Sequence, residues 1–168
     1  AGNNLILKRM KRRHSREMAI EFCKKVLSIR KNATFGADLI AGFPTETEEM
    51  FLDSINLIDE CQLTHLHIFP YSPRANTPAS KMPQVQKGII NDRSKRLRNK
   101  GYEKLKENLR SKIGKKELIL IENSKDNFSI GKDQNFIKVK VQKSLKEGQI
   151  ISCIYTGMDG ETLLAKIA

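Results

Sequence analysis

The residues best placed to do chemistry in this sequence of 168 residues begin with a short turn, Gly42, Phe43, Pro44 and Thr45, at the end of an apolar run that includes Ile40. Glycine permits close approach of the backbone, and free N–H groups after Thr45 could meet an anionic or polar group of a ligand. The alternative is that Thr45 and the glutamates after it satisfy those N–H groups, and local pattern slightly favours this alternative.

A second candidate group follows in HLHIFPYSPR. His65 and His67 alternate on a predicted strand and so point the same way, as metal ligands or a general base would. The nearby sequence offers no third ligand, so packed or hydrogen-bonded histidines are favoured over a metal site. Tyr71 and Arg74 come next, and they could stack a base and hold a phosphate, or equally could fix a proline-rich loop.

Positive charge is concentrated in two places. The run LKRMKRRHSR contains no acid, and its solvated-face interpretation competes with phosphate contact; its candidate residues are Lys8, Arg9, Lys11, Arg12 and Arg13. Residues 84–116 carry 12 basic and 3 acidic side chains, a net +9 within a total of +12. Such a concentration favours a surface that tracks the phosphates of RNA or DNA over a merely solubilising helix.

Several classes of protein are excluded or disfavoured. No apolar run approaches the roughly 18 to 20 residues of a membrane span, so we expect a soluble, cytoplasmic chain with no membrane partner. The three cysteines, Cys23, Cys61 and Cys153, are widely separated and are interpreted as core thiols. The sequence opens like the middle of a loop, which predicts a fragment, and it shows no sign of a protein partner.

Alternating helical and strand patterns must position the candidate residues. Ser15 is a predicted N-cap, and Ala19, Phe22, Cys23, Val26 and Ile29 or Arg30 recur at helical spacing in the helix that follows. Residues 34–43 read as a strand buried on both faces. Thr45 and Glu48 match a capping box for a second helix, whose inner face is Phe51, Ile55 and Ile58 and which ends near Cys61. A second strand then ends at Pro70, so the order predicts a parallel α/β sheet.

The second half of the sequence has a different texture. Residues 70–83 hold four of the five prolines and predict an irregular loop, and one long helix follows, in which Gly101 is the candidate for a break. Five short strand patterns come after Glu117. In FIKVKVQ, Ile137, Val139 and Val141 are predicted to point inward, and Lys138 and Lys140 outward. This spacing predicts a small antiparallel OB-like barrel, a fold that commonly binds oligonucleotides.

Taken in order, LKRMKRRHS, ADLIAGFPTETEEMF and HLHIFPYSPRANTPASKMPQV resemble the methylthiotransferase family of radical S-adenosylmethionine enzymes. The branch that modifies threonylcarbamoyladenosine in tRNA is the most similar. The resemblance implies that residues 1–83 are the C-terminal part of the radical-SAM (β/α) barrel. Residues 84–116 would be a basic connecting helix, and residues 117–168 an RNA-binding TRAM domain.

The resemblance also implies a reaction. The full enzyme would use S-adenosylmethionine and two [4Fe-4S] clusters to add a methylthio group to the adenine of the nucleotide beside the anticodon. The cluster cysteines are absent from this chain, which is expected to be inactive alone. The alternatives are a non-catalytic RNA-binding module and the related branch that modifies a ribosomal protein.

Site residues are carried over on the same resemblance. Ile40 and the four turn residues Gly42, Phe43, Pro44 and Thr45 would lie beside the adenosyl group. His67, Tyr71 and Arg74 would face the barrel mouth, and Arg74 favours the tRNA branch because the ribosomal branch usually has an acid there. Lys8, Arg9, Lys11, Arg12 and Arg13 would face the anticodon stem loop of tRNA, and Lys138 and Lys140 would contact RNA from the barrel. Asn76 stands where the family commonly has glycine, although asparagine tolerates a left-handed backbone.

Overall fold

A computed structural model describes all residues from 1 to 168. The chain forms two compact units, Ala1–Lys104 and Leu105–Ala168. None of the helices combines the length and the apolar character that crossing a lipid bilayer requires.

The first unit alternates helices and strands as the sequence predicts. Strands β1 and β2 pair in parallel, with Ala37 opposite Leu66 and Ala41 opposite Pro70. The elements in chain order are α1 (Asn4–Arg9), α2 (Arg16–Ile29), β1 (Phe35–Ala41), α3 (Glu48–Glu60), β2 (Leu63–Pro70), a 3₁₀ turn (Pro78–Lys81) and α4 (Lys87–Lys112), whose last residues belong to the second unit. The helix α1 was not predicted, because its residues were interpreted as a loop.

The two-stranded sheet has one covered face and one open face. Leu39 and Ala41 of β1 are buried in a cluster with Phe51 and Ile58 of α3. On the other face, Asp38 lies opposite His67 and both are exposed. The prediction that residues 34–43 are buried on both faces was therefore wrong, because α2, α3 and α4 contribute core residues to one side of the sheet only.

Helix α2 begins as predicted and packs differently. The Ser15 hydroxyl accepts a hydrogen bond from the Met18 N–H, which confirms the N-cap. Cys23 is buried, but Phe22 is 63% exposed and Ile29 is 80% exposed, so these two members of the predicted stripe do not pack in the core. Helical spacing identifies a stripe without saying which side of it packs, and here the smaller side chains face the core.

The start of α3 differs from the predicted capping box. Thr47, and not Thr45, is the N-cap, and its hydroxyl accepts from the Met50 N–H. Thr45 has φ +68°, and its hydroxyl is bonded to Arg9 and to the Pro44 carbonyl instead. Thr45, held by these contacts, lies outside the helix, and the observed N-cap is two residues after the predicted one.

Helix α4 passes through Gly101 without a break. A Cβ at Gly101 would lie 2.9 Å from Leu66 Cδ1, so the absent side chain allows β2 to approach the helix. In the preceding loop the 3₁₀ turn Pro78–Lys81 is regular structure that was not predicted. Asn76 has φ +65°, which confirms the left-handed conformation expected of it.

The second unit is a closed five-stranded barrel with strand order β3-β4-β5-β7-β6. Val139 and Val141 are fully buried and Ile137 is nearly so, as the alternation predicted, while Lys138 is exposed. One prediction needs correction, because β5 and β7 pair in parallel and the barrel is not wholly antiparallel. The strands are β3 (Lys116–Lys125), β4 (Phe128–Asp133), β5 (Lys138–Val141), β6 (Ile150–Asp159) and β7 (Thr162–Ile167).

The three cysteines are buried free thiols, as predicted. Cys23 and Cys61 belong to the core of the first unit, where burial and the neighbouring Cys23 raise the pKa of Cys61 to about 12. Cys153 lies in the barrel core with Leu109 of α4, and burial raises its pKa as well.

Candidate functional site

The turn after β1 is held by its own hydrogen bonds. The Gly42 N–H donates to Glu46 Oε2 at 2.9 Å, and the Thr45 N–H donates to the Pro83 carbonyl at 3.1 Å. The Glu46 N–H donates to the Phe43 carbonyl at 2.9 Å. These three donors are engaged within the protein and not directed at a ligand. The alternative drawn from the sequence, that Thr45 and the glutamates after it satisfy the N–H groups, holds for the Gly42 donor only, because the other two donors bond to backbone carbonyls.

Gly42 is required for a packing reason. It has φ +74°, a region that favours glycine, and a Cβ there would lie 2.5 Å from Ile90 Cγ1 of α4. Because Gly42 has no side chain, Ile90 of α4 can pack directly against the backbone of the turn. This contact helps to hold the turn in place.

Arg93 of α4 completes this support. Its guanidinium donates to the Glu46 carbonyl at 2.9 Å and to Glu46 Oε2 at 3.0 Å, and both side chains are almost fully buried. Burial raises the pKa of Glu46, while the Gly42 N–H and Arg93 oppose that rise. Glu46 therefore joins the turn to α4. The sequence had indicated instead that Glu46 caps a helix at the surface.

Further ion pairs join α4 to α3. Arg96 bonds Glu48 at 2.7 Å, and its guanidinium lies 4.5 Å from the centre of the Phe51 ring. Lys100 and Lys104 both contact Asp59, at 2.7 and 2.8 Å. One face of α4 is therefore neutralised by acids of the same unit, so the net charge of +9 over residues 84–116 overstates the charge available to phosphates.

Two groups of predicted residues meet in a cleft of ≈ 640 Å³. Ile40 and Phe43, predicted to lie beside a cofactor, form part of its apolar wall, and four basic residues predicted to face RNA line its edge. The lining is Leu5, Lys8, Arg9, Met10, Lys11, Arg12, Ile40, Phe43, Thr77, Pro78, Ala79 and Met82.

A second, shallower depression of ≈ 490 Å³ adjoins the first on the side of α2. It shares Lys8, Lys11 and Arg12 with the cleft and adds Arg13 and His14. No acidic side chain lines it; its remaining lining residues are Asn4, Ser15 and Met18. The five basic residues form no ion pair in the structure, so they are available to an anionic ligand.

Sequence reasoning missed one wall of the cleft. Thr77, Pro78, Ala79 and Met82 come from the proline-rich loop, within the segment HLHIFPYSPRANTPASKMPQV that carried the resemblance, but no site role was predicted for them. They reach the cleft because the Thr45 N–H bonds to Pro83, which brings this loop against the turn. A contact between segments that are 38 residues apart leaves no local signal in the sequence.

The remaining predicted residues lie outside the cleft lining. Pro44 is fully buried, while His67 and Arg74 are exposed. The Tyr71 ring packs edge-on against Phe43 with centroids 5.4 Å apart, and its hydroxyl is buried without a hydrogen-bond partner. In the other unit, Lys138 is exposed and Lys140 lies over the Phe128 ring.

Metal ligation has no basis in these side chains. His65 Nδ1 bonds to the Thr64 hydroxyl at 2.9 Å. No group of three or more His, Cys, Asp or Glu side chains among the 168 residues is arranged to hold a metal ion.

Known proteins identify the lineage of the chain. It is 49% identical over 159 residues to the threonylcarbamoyladenosine tRNA methylthiotransferase MtaB of Rickettsia prowazekii. The aligned region covers 95% of the chain and 37% of that protein. It is 35% identical to MtaB of Bacillus subtilis, over 83% of the chain and 32% of the relative. The tRNA-2-methylthio-N(6)-dimethylallyladenosine synthase of Ruegeria pomeroyi is 29% identical, over 100% of the chain and 39% of the relative. No protein-family model matches the chain.

These relatives are longer than the chain, which spans between 32% and 39% of their lengths. The similarity includes both the α/β unit and the barrel, since the first alignment takes in 95% of the chain. By this homology the chain belongs to the tRNA methylthiotransferase family.

Proposed function

We propose that this chain is the C-terminal portion of a radical-SAM tRNA methylthiotransferase that adds a methylthio group to threonylcarbamoyladenosine beside the anticodon. In this proposal the first unit closes the catalytic barrel and the second unit, a TRAM domain, helps to hold tRNA. We place the enzyme in the cytoplasm, where its tRNA substrate would be found.

The observation that carries the proposal is the shared lining of the cleft. Ile40 and Phe43 form its apolar wall, and Lys8, Arg9 and Lys11 line its edge. An enzyme that uses S-adenosylmethionine to modify a base in RNA needs a surface for the adenosyl group and, close to it, phosphate contacts that position the RNA. The cleft offers both kinds of surface side by side.

Parts of the cleft fit S-adenosylmethionine and parts do not. Ile40, Phe43 and Met82 offer apolar contacts suited to an adenosyl group. The N–H groups of Gly42 and Thr45 are engaged, so they would not bind it in this conformation. When bound, S-adenosylmethionine would supply the radical and the methyl group, and this chain's role would be to position it. The [4Fe-4S] ligands would come from a part of the enzyme outside this chain.

The orphan hydroxyl of Tyr71 supports a site that is completed by another group. A buried hydroxyl without a partner costs roughly 1 to 3 kcal/mol, and such groups are rare unless something else bonds to them. The Tyr71 ring is in edge-on contact with Phe43, which lines the cleft. A ligand or another segment of the enzyme that reaches Tyr71 would remove this cost.

The RNA half of the proposal is tested by titrating a fluorescent anticodon stem loop with the chain at two salt concentrations. The double variant Lys8→Gln, Arg12→Gln should lower the slope of log K against log salt by about 1.5, since each lost phosphate contact removes roughly 0.7 to 0.9. The matched control is Lys24→Gln, Lys25→Gln on the exposed side of α2, which should leave the slope unchanged. Binding that does not respond to salt would contradict the proposal.

The cofactor half is tested in the parent enzyme by equilibrium dialysis of S-adenosylmethionine. Ile40→Ala should weaken cofactor binding and leave RNA affinity as it was, whereas Lys11→Gln should do the opposite. Equal loss of both affinities in either variant would indicate general damage to the fold.

Arg74 gives a further test, because its side chain is exposed and makes no hydrogen bond or ion pair. Arg74→Ala should therefore change stability by less than about 0.5 kcal/mol. A loss of tRNA methylthiolation in the parent enzyme would then assign Arg74 to the substrate. Modification of a ribosomal protein instead of tRNA would favour the ribosomal branch, and absence of both activities would favour a non-catalytic RNA-binding module.

A further inference from the structure

The outer face of the β4–β5 hairpin presents an aromatic ring among lysines. Along β4, buried and partly exposed residues alternate, and Phe128 belongs to the outward set. Ile130 is opposite Lys140 and Lys132 is opposite Lys138, so the outward side chains of both strands share one face. The face consists of Phe128, Ile130, Lys132, Lys138 and Lys140.

Phe128 is contacted by two cations. Lys140 Nζ lies 4.4 Å from the centre of its ring, and Lys125 Nζ lies 5.9 Å from it. Neither lysine forms an ion pair. An ammonium group over this partly exposed ring is held by the ring's quadrupole, and a base that stacks on the same face would displace the flexible Lys140 side chain towards a neighbouring phosphate.

The charge around the ring is unevenly distributed. Glu122 bonds Lys132 at 3.3 Å, and Asp126 lies in the turn between β3 and β4. Lys132 is therefore already paired, whereas Lys125 and Lys140 are not. Unpaired positive charge is thus found beside Phe128 and not further along β4.

The barrel topology points to the same place by a separate route. A five-stranded barrel of order β3-β4-β5-β7-β6 with a parallel β5–β7 pair has the OB arrangement. OB folds bind oligonucleotides on the face of their second and third strands and on the loop before the second. Phe128 is the first residue of the second strand, and Lys140 is on the third.

We infer that Phe128 is a stacking platform for one unpaired nucleobase of RNA, with Lys125 and Lys140 bonded to the phosphates on either side of it. The inference rests on the proposed function for its RNA partner and specifies which form of RNA the barrel selects. A base within a duplex is covered by its neighbours and cannot lie on the ring. The site therefore takes single-stranded RNA, such as a loop, and not a double helix.

The experiment measures binding of the 168-residue chain to a fluorescent single-stranded RNA about eight nucleotides long, and to the same RNA annealed to its complement. Phe128→Leu keeps an apolar side chain and removes the flat ring, so affinity for the single strand should fall about tenfold, with little change for the duplex. Phe128→Tyr restores a ring and should bind within about twofold of the original chain. Lys140→Gln should lower the salt slope for the single strand by roughly 0.7.

The chain provides a matched control in Phe136, which is 79% exposed in the turn at the other end of the same hairpin. Phe136→Leu removes an exposed ring that contacts no lysine and should leave affinity unchanged. The inference is overturned if Phe128→Leu binds the single strand normally, if it weakens the duplex equally, or if Phe136→Leu causes the loss instead. If the chain binds the anticodon stem loop but its affinity for single-stranded RNA does not change on substitution of Phe128, this inference alone is refuted. If the chain binds no RNA, both this inference and the proposed function are refuted.

Discussion

Replacement of Arg93 by methionine would strip a buried carboxylate of its partner. Arg93 and Glu46 have side chains that are 5% and 1% exposed, and they are joined at 3.0 Å. The variant keeps the apolar stem but loses the bonds to the Glu46 carboxylate and carbonyl and the guanidinium beside the Phe51 ring. Breaking one side of a buried pair costs about 3 to 5 kcal/mol, because the charge that remains is uncompensated.

The loss should depend on pH in a direction fixed by Glu46. Its pKa is already raised by burial, and removal of Arg93 raises it further. A carboxyl with a raised folded-state pKa contributes most to stability below its unfolded value of 4.5, and that contribution is lost as pH rises through the folded pKa. Arg93→Met should therefore recover part of its lost stability between pH 7 and pH 5, by at most about 1.4 kcal/mol per pH unit.

Hydrogen exchange read by mass spectrometry suits this test, because it reports the free energy of opening of α3 separately from that of the barrel. After correction for intrinsic exchange at each pH, α3 amides should lose protection in Arg93→Met. Lys95→Met, on the exposed side of α4, removes the same charge from the same helix and should lose none. Adding Glu46→Gln to Arg93→Met should restore much of the protection. Equal protection in Arg93→Met and Lys95→Met, or a loss identical at pH 5 and pH 7, would refute the reasoning.

Two further predictions concern stability and reactivity. Gly42→Ala should lower the free energy of unfolding by about 2 kcal/mol or more, because φ is +74° and the new methyl group would clash with Ile90. The control is Gly88→Ala in α4, where the added methyl group would have nothing within 4 Å, and it should be neutral or stabilising in the same thermal scan. Cys61, with its pKa raised to about 12, should react with iodoacetamide at pH 8 at least about a hundredfold more slowly than in urea, as followed by mass spectrometry; similar rates in both would contradict its burial.

Helices and strands were predictable from the sequence wherever an element has a single apolar face that packs against one core. The alternation around Val139 and Val141 gave the barrel, and the apolar spacing of Phe51 and Ile58 gave the inner face of α3, because both sets of residues meet a single core. Prediction failed for Phe22, because α2 carries apolar residues on more than one side and packs through Cys23. Hydrophobic period alone does not rank two such stripes.

The sequence predicted several residues that line the candidate site, but not the tertiary contacts that hold them in place. Ile40 and Lys8 come from motifs that the sequence displays, but their meeting in one cleft depends on the folding of a chain in which they are 32 positions apart. The role of Glu46 was mistaken because its partner Arg93 is 47 residues away, and an acid near a helix start resembles a cap. Tertiary ion pairs of this kind leave no periodic trace.

The two sheets differ in whether they have unpaired edge strands. Every strand of the barrel is paired on both sides, so it offers no row of unbonded N–H and C=O groups to another molecule. The sheet of β1 and β2 has an unpaired outer edge on each strand. For laboratory work, aggregation during expression or refolding should therefore begin in residues 35–70, and a preparation restricted to the barrel should stay monodisperse at concentrations where the whole chain precipitates.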